Sequence, residues 1–184
     1  MMNDNRPKKA LFILGGLDDN DLQWIVNRSK KKVLSPGDTL IYEGESINAL
    51  YIILSGTLSV SIFTEGETEL ALLADGEVVG EISFVDSRPP LATVKAVEKS
   101  EILAIPRYAL NLQLHRNSGF SSRFYQGICL CLASRMRGTV RRLGYAVEDD
   151  DPNLDIQDVN QSTLNFLTLA EAKFTWLIQN LEDK

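Results

Sequence analysis

The stretch GEISFVDSRPPLATVKA at residues 80–96 has residue types that suit a loop cradling a phosphate. Gly80 and Glu81 open the stretch, and alanine, threonine and valine stand near its other end. A phosphate in such a loop needs amide donors and, above all, a cation. Proline stands at position 90, where a cation is wanted. The stretch therefore leaves three alternatives open: a nucleotide binds there, binds elsewhere on the chain, or does not bind.

Antiparallel strands are predicted for residues 33–105, which include this stretch. Apolar and polar residues alternate there with a period of two, and glycine, asparagine, aspartate, serine or proline ends each run. Turn signals about eight to twelve residues apart favour a sandwich or jelly-roll barrel over a parallel sheet. The predicted fold class is mainly β with flanking helices, namely an antiparallel jelly-roll β-barrel followed by a long helix and a C-terminal helix.

Helical periodicity is present on both sides of the strands. Residues 17–31 predict a short helix after an Asp/Asn cluster suited to an N-cap. After Pro106 the helical period returns, and the longest helix is predicted from about residue 121 to residue 147. Glu43 and Glu45 lie at a predicted barrel turn, where solvated charge is the ordinary explanation.

Three parts follow from these elements. The first is a domain over residues 1–147, and the second is an acidic linker over 148–161 that contains a helix-breaking proline. The third is an amphipathic helix over 162–184, with Ser162 or Thr163 as its cap. Its apolar stripe consists of Leu167, Ala170, Phe174, Leu177, Ile178 and Leu181. We expect this stripe to pack on the domain, with docking to a partner protein as the alternative.

Composition narrows the class of protein. The 184 residues are 44% apolar and 24% charged, which suffices for one well-packed domain and an appendage. No run of about eighteen apolar residues occurs and no secretory signal is recognised, so we expect a cytoplasmic protein without membrane contact. Residues 148–184 carry nine acidic and two basic side chains, which disfavours nucleic-acid binding through that segment.

Catalytic and metal chemistry are not expected. His115 is the single histidine, and Cys129 and Cys131 lie two residues apart in a helical pattern, so that they point in different directions. A disulfide framework or a zinc site needs other spacings and more ligands. Because no nucleophile motif accompanies these residues, we predict that the chain is not an enzyme and holds no metal or resident cofactor.

Two segments, residues 35–62 and 76–106, resemble the cyclic nucleotide-binding domain family, in the form of a bacterial Crp/Fnr-like sensor domain without the winged helix-turn-helix. Gly37, Gly44 and Gly56 fit the turns between barrel strands, where a positive φ is accessible at low cost to glycine. Residues 148–184 contain one predicted helix and no basic patch, so direct reading of DNA is not expected.

The resemblance implies a phosphate-binding cassette at the stretch described first, with Gly80, Glu81, Ile82, Ser83, Thr93 and Val94 as its matching residues. By this resemblance Glu81 accepts a hydrogen bond from a ribose hydroxyl, the amides of Ile82 and Ser83 face the phosphate, and Thr93 adds a hydroxyl donor. An alternative role for Glu81 is to cap the short helical turn of the cassette.

One cassette residue departs from the family pattern. The arginine that the family places after Pro89 is Pro90 in this sequence. A charge-assisted phosphate contact contributes roughly 1.5 to 3 kcal/mol, so its loss weakens binding of a cyclic mononucleotide. Arg88 lies two positions earlier and is the cation that could partly substitute, although the two prolines stiffen the chain between.

The long helix carries a second candidate site. Projected at about 100° per residue, one face collects Phe124, Ile128, Cys131, Leu132, Arg135, Thr139 and Arg142. The resemblance implies that this helix dimerises, and a parallel pair would bring Arg135 and Arg142 of both chains near one two-fold axis. A cyclic dinucleotide would satisfy these guanidinium groups, with Thr139 beside them. In the alternative interpretation, the arginines extend into water or pair with the acidic residues 148–151.

The sequence therefore predicts a homodimeric, non-catalytic second-messenger receptor that acts through a protein partner, such as a DNA-binding regulator. The preferred ligand is cyclic di-GMP at the dimer interface, bound by Arg135, Thr139 and Arg142. One alternative is cAMP or cGMP bound in the barrel cassette, and another is a ligand-free interaction scaffold.

Overall fold

Two antiparallel sheets of four strands each form the centre of the computed structural model, which describes residues 10–64, 66–142 and 161–182. Over those residues the strands are β1 (Lys30–Leu34), β2 (Thr39–Ile41), β3 (Ala49–Ser55), β4 (Leu58–Phe63), β5 (Glu67–Leu73), β6 (Val78–Val79), β7 (Thr93–Ala96) and β8 (Ser100–Pro106). The first sheet has the order β1-β8-β3-β6 and the second β2-β7-β4-β5. The antiparallel barrel predicted from the period of two is thus confirmed.

The helices are α1 (Ala10–Gly16), α2 (Asp19–Arg28), α3 (Glu81–Asp86), α4 (Arg107–Arg116), α5 (Ser118–Arg142) and α6 (Gln161–Glu182). The long helix therefore begins a few residues before its predicted start at 121, and the predicted 143–147 lies outside the described residues. Apart from Gln161, the acidic linker predicted at 148–161 also lies outside them, as do the side chains of Ser162 and Thr163.

The single helix predicted over residues 17–31 is wrong in its bounds. The helix in that range, α2, is shorter and spans Asp19–Arg28. It begins after Asp18, whose side chain accepts a hydrogen bond from the Asp21 amide at 3.0 Å, while the Asp21 carboxylate accepts one from the Asp18 amide at 3.0 Å. This reciprocal arrangement is a capping box, so the N-cap prediction itself is confirmed. At the other end, Lys30–Leu34 pairs with β8 instead of continuing the helix.

Strand β3 is buried on both faces and joins two cores. Leu50, Ile52 and Leu54 point towards the helices, whereas Tyr51 and Ile53 point into the space between the two sheets. Successive strand residues point to opposite faces, so a strand covered on both sides loses its apolar–polar alternation. Burial between the sheets also raises the pKa of Tyr51 above its ordinary value.

Helix α5 packs against α1 and against the outer face of the first sheet. Phe120, Phe124, Ile128 and Cys131 are fully buried in that core. The two helices approach closely at Gly127, where an added Cβ would lie 2.5 Å from the Ile13 Cα atom and 2.7 Å from the Phe12 carbonyl oxygen. The absence of a side chain at this position therefore sets the distance between the two helices.

An ion pair fixes the start of α5 on α2. The Arg123 Nε donates to the Asp21 Oδ2 atom at 2.7 Å, and an Arg123 Nη atom lies 2.8 Å from Asp18. The pKa of Arg123 is raised, chiefly by the hydrogen bond to Asp21. Since Asp21 is only 2% exposed, this carboxylate depends on Arg123 for its counter-charge.

The C-terminal helix α6 packs on α1 and α2, as the sequence predicted. Ala170, Phe174, Leu177 and Leu181 of its stripe are buried in the helical core. Lys173 donates to the carbonyl oxygens of Gly15 at 2.8 Å and Leu17 at 2.6 Å. Desolvation lowers the pKa of Lys173, an effect that the nearby aspartates of α2 oppose.

None of the helices in the described part of the chain combines the length and the apolar character that crossing a bilayer requires.

We predict that Gly127→Ala destabilises the protein by roughly 1 to 3 kcal/mol, because the new methyl group meets backbone atoms of α1 that cannot move without separating the helices. Gly138→Ala is the matched control on the same helix, since nothing lies within 4 Å of its added Cβ. For Gly138→Ala we expect the free energy of unfolding to increase by up to about 1 kcal/mol, because alanine has the higher helix propensity. Urea unfolding of both variants measures the difference, and equal effects would contradict the packing described.

Candidate functional site

The first cassette residues form a tight turn from strand into helix. Strand β6 ends at Val79, Gly80 adopts φ 86°, and α3 begins at Glu81. A positive φ is strained for residues with a side chain, and an added Cβ at Gly80 would also lie 2.6 Å from the Ile47 side chain. The turn directs Glu81 inward, where it is 1% exposed, while Ile82 is half exposed.

Glu81 forms a buried ion pair with the long helix. An Nη atom of Arg135 donates to the Glu81 carboxylate, and the other Nη atom donates to the Val78 carbonyl oxygen. The side chain of Arg135 is 22% exposed. A carboxylate out of water needs a counter-charge, and the described structure supplies it from a residue 54 positions later in the chain. The cassette and α5 are therefore joined by one charged contact.

A second arginine, Arg107 at the start of α4, holds the other end of α3. Its guanidinium donates to the Ser83 carbonyl oxygen at 2.9 Å, the Phe84 carbonyl oxygen at 3.3 Å and the Ser87 hydroxyl at 2.9 Å. It also lies over the Phe84 ring at 5.4 Å from the centroid. Arg107 adds donors at the C-terminus of α3, where the Ser83 carbonyl oxygen also accepts from the Ser87 amide at 3.1 Å.

The loop after α3 is tied to the turn between β2 and β3. The Gly44 amide donates to the Pro90 carbonyl oxygen at 2.9 Å, and the Glu43 amide donates to the Thr93 hydroxyl at 3.1 Å. Thr93 therefore lies at the same end of the barrel as α3, and Val94 is buried between the sheets. Arg88 is 84% exposed and lies 4.0 Å from Asp86. The backbone amide of Arg88 also donates to the Asp86 carboxylate at 3.0 Å, so the described contacts of Arg88 are with Asp86 and not with Glu81.

The predicted dimer-axis site is not assembled as the projection implied. Phe124, Ile128 and Cys131 share one face of α5, as expected, but that face packs into the core of its own chain. The next residue of the stripe, Arg135, continues onto the cassette of the same chain. An apolar stripe requires burial, and here α1 and the barrel supply it, so that Arg135 contacts the cassette of its own chain. The site formed by Arg135, Thr139 and Arg142 at a two-fold axis stays a prediction. Thr139 is exposed, with its hydroxyl donating to the Arg135 carbonyl oxygen at 3.0 Å. The side chain of Arg142 lies outside the described residues.

A different stripe of α5 faces outward. Its residues recur at intervals of four and three, and they are Tyr125, Cys129, Leu132, Met136 and Thr139. Met136 is 71% exposed and Tyr125 44%, and Cys129 is also exposed, whereas Leu132 is half-buried and packs against the core of its own chain. A spacing of four and three is that of a coiled-coil seam.

Two site residues were missed in the sequence. Arg107 and Arg123 each stand at a helix start and bind groups far away in the chain, so their local pattern contains no signal for those contacts. A proline directly before Arg107 marks the start of α4. Within the described residues, no group of three or more histidine, cysteine or acidic side chains is placed to hold a metal ion.

An eight-stranded antiparallel barrel with a helical cassette and a long following helix defines the class of fold. Residues 31–117 match the family model of the cyclic nucleotide-binding domain. The chain thus contains a domain of the cyclic nucleotide-binding domain family.

Individual relatives agree with this assignment. The chain is 32% identical over 101 residues to the cyclic AMP receptor protein of Thermus thermophilus, a match that covers 54% of this chain and 47% of that protein. It is 26% identical over 106 residues to potassium channel KAT3 of Oryza sativa, covering 57% of this chain and 21% of the channel. The crystal structure of the Thermus thermophilus catabolite activator protein superimposes with a TM-score of 0.61 at 23% identity. That likeness covers 95% of this chain and 87% of the other, and shows the fold alone.

We predict that Arg135→Ala destabilises the protein by about 3 kcal/mol, because it leaves the buried Glu81 carboxylate without a counter-charge. Arg137→Ala is the matched control on the exposed face of the same helix, and its effect should stay within about 0.5 kcal/mol. Adding Glu81→Gln to Arg135→Ala should recover part of the loss, because the buried charge is then gone. Urea denaturation gives all three values, and similar losses in both single variants would argue against the ion pair.

Proposed function

We propose that this chain is a non-catalytic sensor in which a ligand containing one purine nucleoside binds beside α3, and that α5 transmits the binding. The contact between Glu81 and Arg135 is the observation that supports this proposal most directly. It places a charged residue of the long helix on a cassette residue of the matched family domain. A ligand that contacts Glu81 must change the surroundings of Arg135, so binding and the position of α5 are coupled.

The cassette is the ligand site that we favour over the two-fold axis. Arg135, which the dimer-axis site requires, donates its hydrogen bonds to Glu81 and to the Val78 carbonyl oxygen. Cyclic di-GMP between two chains would need Arg135 to leave the buried carboxylate, at the cost of an unpaired charge. A ligand of mononucleotide size beside α3, with cAMP and cGMP as the candidates that the resemblance implies, needs no residue from a second chain.

The proposed output runs through the two ends of α5. Arg135 meets the cassette, and Arg123, about three helical turns earlier, holds the first turn of α2. Helix α6 rests on α1 and α2, so a shift of α5 reaches the C-terminal helix through packed elements. We propose that a protein partner, such as a DNA-binding regulator, responds to this shift.

We further propose that the chain forms a homodimer along the outward stripe of α5. Tyr125, Cys129 and Met136 lie on that stripe and leave apolar surface exposed on one chain. In a parallel pair of helices each seam residue approaches its own copy, which covers this surface without disturbing the contacts of Arg135.

The ligand site can be located by calorimetric titration of residues 1–184 with purine nucleosides, cAMP, cGMP and cyclic di-GMP. We expect saturable binding of a ligand that contains one nucleoside. Glu81→Gln should weaken its affinity about tenfold, and Arg142→Ala should leave its affinity unchanged. Hydrogen exchange should change in the C-terminal half of α5 when the ligand is added. Binding only of cyclic di-GMP, lost in Arg142→Ala, would place the site at the dimer axis, and heat from none of these compounds would overturn the sensor proposal.

The dimer is tested by mild oxidation of the purified protein. Cys129 is exposed and Cys131 is buried, so a parallel seam predicts a Cys129–Cys129 crosslink that disappears in Cys129→Ser. When Met136→Cys is added to Cys129→Ser, the crosslink should return. When Arg137→Cys, at the next position of the helix, is added instead, the crosslink should stay absent. A monomer in analytical ultracentrifugation together with equal crosslinking of both cysteine variants would rule out the seam.

A further inference from the structure

In the described structure, three arginines contact α3 or lie in the loop after it, and each has a hydrogen-bond or ion-pair partner. Arg107 donates to the Ser83 and Phe84 carbonyl oxygens and to the Ser87 hydroxyl. Arg135 binds Glu81, and Arg88 extends into water beside Asp86. An anionic group arriving beside Glu81 would therefore meet Arg107 and Arg135 already engaged, with Arg88 pointing into water.

The two prolines in the loop that follows α3 reduce the number of backbone donors there. Proline has no amide hydrogen, so residues 89 and 90 cannot donate from the backbone. The Pro90 carbonyl oxygen accepts from the Gly44 amide at 2.9 Å, which holds this part of the loop against the neighbouring turn. Residues 89 and 90 are thus uncharged, and the Pro90 carbonyl is held by the neighbouring turn.

Charge balance then discriminates between ligands. Glu81 and Arg135 neutralise one another, and both are largely removed from water. A neutral ligand leaves this balance intact. An anionic ligand either adds an uncompensated negative charge next to a buried carboxylate or draws Arg135 away and leaves that carboxylate unpaired.

The chemistry of Glu81 indicates what a neutral ligand must carry. An ionised carboxylate only accepts hydrogen bonds, so its ligand has to present hydroxyl or amino donors. The vicinal hydroxyls of a ribose meet this requirement without adding charge. We propose that the cassette selects an uncharged purine nucleoside over the corresponding cyclic nucleoside monophosphate. This inference rests on the proposed function for the location of the site, and it adds the class of ligand.

The experiment compares adenosine and guanosine with cAMP and cGMP by calorimetric titration of residues 1–184. We expect the better nucleoside to bind at least about tenfold more tightly than its cyclic monophosphate, because the latter lacks a charge-assisted contact. The 2′-deoxynucleoside, which has lost one hydroxyl donor, should bind more weakly than the nucleoside. Equal or tighter binding of the cyclic monophosphate would overturn the selectivity while leaving the sensor function standing.

A gain-of-function variant tests the same inference without removing a buried group. Pro90→Arg places a cation at the half-buried position in the loop, and the ratio of cyclic monophosphate to nucleoside affinity should rise by roughly tenfold or more. Val97→Arg adds the same charge at an exposed position beyond the other end of β7, and its ratio should match that of the unmodified chain. Identical ratios in all three proteins would overturn the proposal, and failure of every ligand to bind any of them would overturn the sensor function as well.

Discussion

The Glu81 carboxylate lies almost wholly out of water, and a charge in that position is tolerated only with a partner. Arg135 is that partner, and it also satisfies the Val78 carbonyl oxygen at the end of β6. The C-terminal half of α5 must therefore lie against the cassette for the barrel to keep this charge. The ligand selectivity that we propose depends on the same requirement, because any new charge would enter a pair that is already balanced.

Helix α5 is the element through which the parts of the domain meet. Its buried face fills the core beside the first sheet, Gly127 brings it close to α1, and Arg123 holds the buried Asp21 at the start of α2. Helix α6 is held by the same neighbours, with Lys173 donating to carbonyl oxygens at the end of α1. A displacement beginning at Arg135 thus acts on one continuous packed layer, and interdigitated cores shift between discrete arrangements rather than yielding gradually.

Much of this fold could be predicted from local patterns. The alternation of residues 33–105 predicted the strands, the cap at Asp18 was recognised from its residue types, and the stripe of α6 was expected to pack. The bounds near residues 17–31 could not be obtained in this way. Lys30–Leu34 is a strand because it pairs with β8, and this pairing with residues about 70 positions later cannot be recognised from the local sequence.

The sequence by itself determined which residues share a face, where the turns fall and that the cassette lacks the family's arginine. Only the tertiary structure decided what those faces touch. The stripe of Phe124, Ile128 and Arg135 was identified as one surface, yet its partner is the core of its own chain and not a second copy. The physical reason is that helical periodicity encodes the need for burial, whereas the identity of the covering surface depends on residues far away in the chain.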